Sequence, residues 1–572
     1  MAIYRSDQAV VTFGAEAALG GYPEAATTAL QTTDEARINA AAGIAAGSLV
    51  LTVNGLSNLA VDDFVRIGSP DGAAGADKVA TVESEIRRIV AITDSSTKIH
   101  LNAPTAHFHA DDEYVTEITA VTDDSTDHDK FVTYIPGVYD TVTVPDFTPT
   151  IEPRYYLGTG AKRNFTAAYK GTQAYSGSWP SFILLNGWPL RFPIGTIESV
   201  PTSQGGSLTF GADAKAGDTF ITASGSSGIS ANVYLKLGTS GTSKQEIVRC
   251  VSTQATSSSI KLTTPLKYDH AYTGTPEELK IASGVVTHTI EESNVLPSLS
   301  MSVHMLDSSE TAANSFDRKF FGGKVGAATI SAEEGGLLVM GWDTIPFMGM
   351  SHNQKLNVNY HATSPMPFYQ LAHAMDRTMV GSKTGAAGIL AYPTGDPYYF
   401  SEGTVTLFGT EFARVRNFTI NINNNVEPRY YIERRGDSRA RGPSDIVEMR
   451  REYTMEATIA LPDSKVSATG DAATLFQELL MEGDYGSGMR GFNIKLVFDR
   501  GTSDTITIQI PDDGDGSAPT DSTGAETGLD QQGAYLLEAP HPIDGSNPYE
   551  VSASLMFRNL KITIVDSQLL YP

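Results

Sequence analysis

Few residues in this chain have the types and spacing that chemistry needs. His107-Phe108-His109 offers two imidazoles at i and i+2, with Asp111, Asp112 and Glu113 close behind. On an extended strand those two side chains share a face, so the set could hold a metal ion. A related stretch, Tyr268-Asp269-His270-Ala271-Tyr272, repeats only the second histidine. A hydrogen-bonded turn histidine is therefore the better reading. The sole cysteine, Cys250, lies in the strand-like run Glu246-Ile247-Val248-Arg249-Cys250-Val251. One thiol permits neither an intramolecular disulfide nor a cysteine zinc site, and this setting suits a small core residue rather than a nucleophile. Gly322-Gly323 and Gly335-Gly336 read as turn glycines, because no phosphate-loop or nucleotide spacing accompanies them. Adjacent carboxylates such as Glu333-Glu334 and Asp62-Asp63 carry little information in a chain with 66 acidic residues. No serine elbow stands out. The residues nominate no catalytic centre, no metal site and no cofactor, which points away from an enzyme.

A phrase written twice is more informative. Glu152-Pro153-Arg154-Tyr155-Tyr156 returns as Glu427-Pro428-Arg429-Tyr430-Tyr431. Each proline holds the residue before it extended. Each arginine can make a two-pronged pair with a carboxylate and suits an interface better than lysine. The tyrosines bring large amphipathic area, as interface anchors do. The competing reading is an ordinary strand-to-loop corner with an internal Arg–Glu pair. Both copies open basic stretches. Lys162, Arg163 and Lys170 follow the first, and Arg434, Arg435, Arg439, Arg441, Arg450 and Arg451 follow the second. Such a loop can dock on an acidic neighbour, where complementary charge also fixes register, or remain a solvated basic loop. The candidate assembly residues are Glu152, Arg154, Tyr155, Lys162, Arg163, Glu427, Arg429, Tyr430, Arg434, Arg435, Arg439 and Arg441.

The elements that must carry these residues are short β-like runs bounded by Gly, Pro, Asn and Asp, the pattern of all-β modules. A second repeat, unrelated to the first, links residues 47–109 with 217–270. Gly47 matches Gly217, Gly68 matches Gly238, Glu85 matches Glu246, Pro104 matches Pro265 and His109 matches His270, with one loop shorter in the second copy. Repeats of this kind are sought first because missing them misreads the fold. The expected plan is an N-terminal arm over 1–46, with a short helix at its alanine-rich end. An inserted β module A covers 47–120, and its copy, module B, covers 204–283. One scaffold half covers 121–203 and 284–350, a linker 351–396, and a second half 397–572. In the second half, Phe418, Ile420 and Ile422 alternate with polar residues, so one strand face is buried and one wet. Thr505–Ile510 and Leu560–Ile564 do the same. Asp471, Leu475, Phe476, Leu479, Leu480 and Gly483 predict a capped helix over 472–482, and a second helix is expected over 367–379. Residues 511–530 are too polar to pack and read as a mobile loop.

At 572 residues the chain is too long for one core, and length alone suggests roughly three to five domains. Forty-one basic residues against 66 acidic ones leave a net charge of −25. Affinity for nucleic acid comes from Lys and Arg on phosphate, so a DNA-gripping protein is disfavoured. A surface past which DNA slides is not. Solubility and a salt-loving host are two further readings of the same charge. The N-terminus lacks the pattern of a secretory signal and no apolar run reaches membrane-spanning length, so assembly in a cytoplasm is expected.

Tyr398 to Gly403, the run Phe418 to Val426, the motif at Glu427 and the helix expected from Ala472 resemble the major tail (tail tube) proteins of long-tailed phages and related archaeal viruses. Residues 145–195 and 288–350 resemble the other half of duplicated members. The resemblance covers about two-thirds of the chain and implies two tandem tube β-sandwich domains, each with a flanking helix. It further implies rings of six such domains, hence three of these chains. The rings would stack into a conduit for the genome, with no DNA sequence recognised, and other tail proteins would meet the tube ends. Arginines that gripped DNA inside a conduit would stall it, so the basic loops are expected between rings or subunits. Two other classes remain open: a virion surface decoration or adhesin protein, and a tail-associated polysaccharide hydrolase, for which the sequence supplies no pair of acids.

Overall fold

The computed structural model describes residues 9–16, 28–67, 85–121, 135–145, 150–155, 165–305, 316–352, 396–431, 442–460, 494–510, 534–538 and 550–571, with short gaps inside several of these stretches. The all-β expectation holds. Antiparallel sheets make up the described chain. Its one α-helix is the single turn Arg191–Ile194, entered through the 3₁₀ turn Trp188–Leu190.

A seven-stranded sheet is the centre of the body. Its order is Tyr175–Ile183, Val339–Phe347, Ala327–Glu333, Val415–Asn423, Glu452–Ala460, Glu550–Phe557 and Ala534–Glu538. Bridges Val138↔Ile183 and Thr143↔Ser178 lay residues 138–143 along its first edge. Strands from both scaffold halves join in this sheet through the ladder that pairs Ala327–Glu333 with Val415–Asn423. The alternation read from sequence is met: Phe418, Ile420 and Ile422 are buried. Two further layers cover the buried face. One is a four-stranded sheet of Ala9–Ala15, Leu299–Met305, Phe316–Gly323 and Gly349–His352. The other contains Gly403–Leu407, Ile494–Asp499, Thr505–Ile510 and Lys561–Asp566 and continues into Glu278–Glu292.

One contiguous core fills the space between the layers. Trp342 lies at its aromatic centre, with ring centroids 4.8 Å from Phe13, 5.6 Å from Phe192 and 5.8 Å from Phe182. These edge-to-face contacts add to the area each ring removes from water. The helical turn is a plug: Trp188, Leu190, Phe192 and Ile194 are all buried. The predicted hairpin at Gly335 is present, with Gly335 at φ +73° between Ala327–Glu333 and Val339–Phe347. A type of turn that needs positive φ selects glycine.

The stretches read from sequence as modules A and B each hold an apolar cluster, and the first also takes in Ala36, Ile38 and Ile44 from the segment read as the arm. Module A orders its strands Thr28–Arg37, Tyr114–Val121, Phe64–Ile67, Glu85–Thr93, Lys98–Leu101 and Val50–Thr52. Module B orders Gly195–Thr209, Glu278–Glu292, Tyr234–Leu237, Glu246–Thr253, Ser259–Leu262 and Phe220–Thr222 in the corresponding sequence. The registers also correspond: Phe64↔Arg88 and Ile67↔Glu85 in one, Tyr234↔Arg249 and Leu237↔Glu246 in the other. Cys250 is fully buried in its strand.

The alanine-rich end of the N-terminal arm is not helical. Ile38 and Ile44 sit in β-bridges and Gly43 takes φ +70°. Alanine's helix propensity is a weak prior, and burying Ile38 and Ile44 in module A overrides it. The helices expected over 367–379 and 472–482, the loop 511–530 and most of the linker lie outside the described residues.

Candidate assembly surfaces

The two copies of the repeated phrase form the same local structure. Ile151–Arg154 pairs antiparallel with Ala167–Lys170, setting Pro153 opposite Ala168. Glu427–Arg429 pairs antiparallel with Asp445–Val447, setting Pro428 opposite Ile446. Each is a two-stranded ribbon prolonging a hairpin of the central sheet. The first extends residues 138–143 and Tyr175–Ile183; the second extends Val415–Asn423 and Glu452–Ala460. Proline is tolerated here because a ribbon edge does not need its missing N–H. In both, the arginine turns onto its own glutamate: Arg154 Nη2 to Glu152 Oε2 and Arg429 Nη2 to Glu427 Oε2 are each 2.7 Å. Residues at i and i+2 share a strand face. All four side chains are well exposed, and such pairs are worth about 0–1 kcal/mol. They stiffen a ribbon tip more than they stabilise the fold.

The ribbons differ in their surroundings. The second lies against the first scaffold half. Lys324, itself buried, donates from Nζ to the Ile446 carbonyl (3.0 Å) and pairs with Glu448 (2.7 Å). The Leu296 N–H donates to Glu448 Oε1 (3.0 Å) and Tyr430 Oη donates to the Gln173 carbonyl (3.1 Å). Gly442 sits where a side chain would strike the Met348 carbonyl and the Tyr175 ring. Burial first, and then the neighbouring Tyr430, push the Tyr175 phenol above its usual pKa. The described apolar side chains of the first ribbon are exposed. Ile151 is 62% exposed, Tyr155 64%, Phe165 57% and Tyr169 52%.

Of the candidate residues, Glu152, Arg154, Tyr155, Glu427, Arg429 and Tyr430 fall on the two ribbons. Lys162, Arg163, Arg434, Arg435, Arg439 and Arg441 lie outside the described residues. Arg451, read from sequence with the basic stretch, instead braces the body. Its Nε donates to Asn424 Oδ1 (2.7 Å) and its Nη2 to the Ser293 carbonyl (3.0 Å). Lys324 escaped the sequence reading because it matches no motif and follows Gly322-Gly323, read as turn glycines but in fact the end of the strand Phe316–Gly323.

The outward face of the central sheet is a second surface. Asn417, Thr419, Asn421, Thr454, Glu456, Thr458, Ser552 and Ser554 point away from the core. An open groove of about 700 Å³ crosses it, with Glu333, Glu456 and Glu538 in its lining. Arg416, at its margin, is held by Glu334 (3.3 Å) and Glu550 (2.9 Å).

His109 and His270 each meet a carboxylate, while His107 lies outside the described residues. His109 Nδ1 lies 2.8 Å from Glu113 Oε2. His270 Nδ1 lies 2.8 Å from Glu277 Oε2, and its Nε2 lies 3.0 Å from the buried Glu246. Burial opposes charging His270, but the two carboxylates outweigh it and hold its pKa above the usual value. Burial likewise works against the Glu246 carboxylate, yet His270 and Lys267 keep its pKa below normal. Glu246 also accepts the backbone N–H groups of Lys267 and Tyr268. No helix among the described residues is long and apolar enough to cross a membrane.

A family profile described as phage tail tube protein matches residues 6–553. No curated protein matches the chain.

Proposed function

We propose, because this chain belongs to the phage tail tube protein family and is thereby a structural component of the virion tail rather than an enzyme, that three copies close into a pseudo-sixfold ring and that rings stack into the conduit for genome ejection. One observation carries the reading. The same ribbon, with the same proline register and the same Arg–Glu pair, rises from each scaffold half of a shared sheet. Two equivalent units in one chain halve the number of chains a sixfold ring needs. Closure then rests on heterologous contacts, one face of a unit meeting a different face of the next.

In this reading residues 121–203 with 284–350, and 397–572, are two tube domains, and modules A (47–120) and B (204–283) are copies of one another. Their corresponding strand orders and registers support common descent. The modules project outward, where there is room for them. The outward face of the central sheet lines the bore. Hydroxyls, amides and carboxylates there offer phosphate no cationic grip, and Arg416 is held between two glutamates, so DNA passes without counterion release to bind it. The basic loops at 162–163 and 434–441 dock between subunits or rings. Other tail proteins meet the tube ends.

Negative-stain microscopy of concentrated purified protein tests this. Rings or tubes with a central hole are expected. A persistent monomer would overturn the reading, and if it also cleaved a glycan the hydrolase alternative would replace it.

A further inference from the structure

We infer that the first ribbon, Ile151–Arg154 with Ala167–Lys170, docks in trans on the second scaffold half of a neighbouring copy of this chain within the same ring. The inference rests on the ring reading above and adds which surfaces meet.

The seated ribbon is the template. The second ribbon springs from Val415–Asn423 and Glu452–Ala460, passes the strand Ala327–Glu333, and reaches the end of the central sheet where Tyr175 pairs with Phe347 and Met348 follows. The first ribbon springs from the matching hairpin, 138–143 with Tyr175–Ile183. The position matching Tyr175 in the second half is Tyr453, which lies as far beyond Ile446 as Tyr175 lies beyond Ala168. Tyr453 pairs with Phe557 as Tyr175 pairs with Phe347, and Arg558 follows as Met348 does. The seat for the first ribbon is therefore the Tyr453–Phe557–Arg558 corner. Tyr453 and Phe557 stack there at 5.0 Å and are buried against the body, so the surface offered to a neighbour is the exposed Arg558 at that end of the sheet.

Distance assigns the seat to another copy. The ribbon's root is the first strand of the central sheet and Glu550–Phe557 is the sixth. Strands lie about 4.8 Å apart, so five spacings separate root from seat by roughly 24 Å. The paired strands of the ribbon span roughly 13 Å at about 3.3 Å per residue, and Ile151, Tyr155 and Phe165 stay exposed in the single chain, so its own corner is not the seat they occupy. A neighbouring copy whose edge strand Ala534–Glu538 adjoins residues 138–143 brings its own corner within reach. Ile151, Tyr155 and Phe165 would then be covered, as Ile446 is covered in cis.

The test uses the full chain carrying Phe165→Cys and Arg558→Cys, oxidised after assembly and run on a non-reducing gel; the native Cys250 is fully buried. Disulfide-linked species that stop at three chains are expected. A ladder running past three would place the contact between rings and overturn the inference. Tubes of normal appearance without interchain disulfides would also overturn it. A second variant, Ile151→Ser with Tyr155→Ser and Phe165→Ser, alters exposed side chains only. It should keep the wild-type melting profile while raising the concentration needed for assembly about tenfold or more. Assembly at the wild-type concentration sinks the ribbon contact but leaves the ring standing. Failure of the unmodified protein to form rings sinks both.

Discussion

Lys324 shows how one side chain decides the state of a whole ribbon. Its ammonium is withdrawn from water and satisfied by the Ile446 carbonyl and by Glu448. Glu448 is part-exposed and keeps the Leu296 N–H, so losing the lysine chiefly strips the buried Ile446 carbonyl of its donor, at a cost of about 1–3 kcal/mol. Lys324→Met should therefore free the second ribbon, read as faster amide hydrogen exchange across 427–447 with other strands of the central sheet unchanged. Unaltered exchange there would refute the role. A second test at this scale concerns His270. Its raised pKa stabilises module B fully below the ordinary histidine pKa, and this contribution fades as pH climbs through the raised value. The depressed pKa of Glu246 contributes above the ordinary carboxylate range and fades as pH falls through the lowered value. Lys267, pushed down mainly by burial to about 8, costs stability when charged, and that cost is relieved above pH 8. Melting of module B should therefore fall as pH rises past the ordinary histidine value of about 6.5, before the Lys267 relief sets in near pH 8, and His270→Phe should remove that fall in a thermal-melting series. The sequence sets Glu85 beside Glu246 and His109 beside His270 as matched positions, and each glutamate opens a strand while each histidine sits in a β-bridge. The hydrogen bonds between glutamate and histidine were not legible there, because Glu113 and Glu277 stand at different spacings from their histidines.

Among the elements, the strands were the most legible. Phe418–Ile422 and Thr505–Ile510 announced themselves by alternation because each has one wet and one dry face. The alanine-rich segment misled because local propensity gave no sign that Ile38 and Ile44 would be claimed by module A. Equally hidden was the ladder joining Ala327–Glu333 to Val415–Asn423, since pairing partners far apart in sequence leave no local signal. The difference between the two ribbons was invisible too, because it depends on what each lands against. The basic residues between the two strands of the second ribbon carry a prediction of their own. Reversing Arg434, Arg435 and Arg439 to Glu should weaken polymerisation at least tenfold, read as the sedimenting fraction against concentration, while leaving the melting temperature within a degree or two. Unchanged polymerisation would remove the loop from the assembly contacts.

For the whole molecule, a net charge of −25 sets the terms of association. Copies of one acidic chain repel over a screening length of about 10 Å at 0.1 M salt and about 3 Å at 1 M. Raising salt over that range should lower the concentration at which tubes form, measured by light scattering. A rise instead would mean that attraction between basic loops and acidic surfaces outweighs the general repulsion. The family resemblance was readable because strand order and short phrases survive in sequence, and the matched profile spans residues 6–553. Module B, finally, is not tethered by a loop. The 15-residue strands Gly195–Thr209 and Glu278–Glu292 run unbroken from its cluster into the body, irregular in register at two points yet laddered along their length. Glu278–Glu292 then pairs directly with the final strand Lys561–Asp566. A tug on the far end of module B thus reaches the body along a hydrogen-bonded ladder rather than a loop.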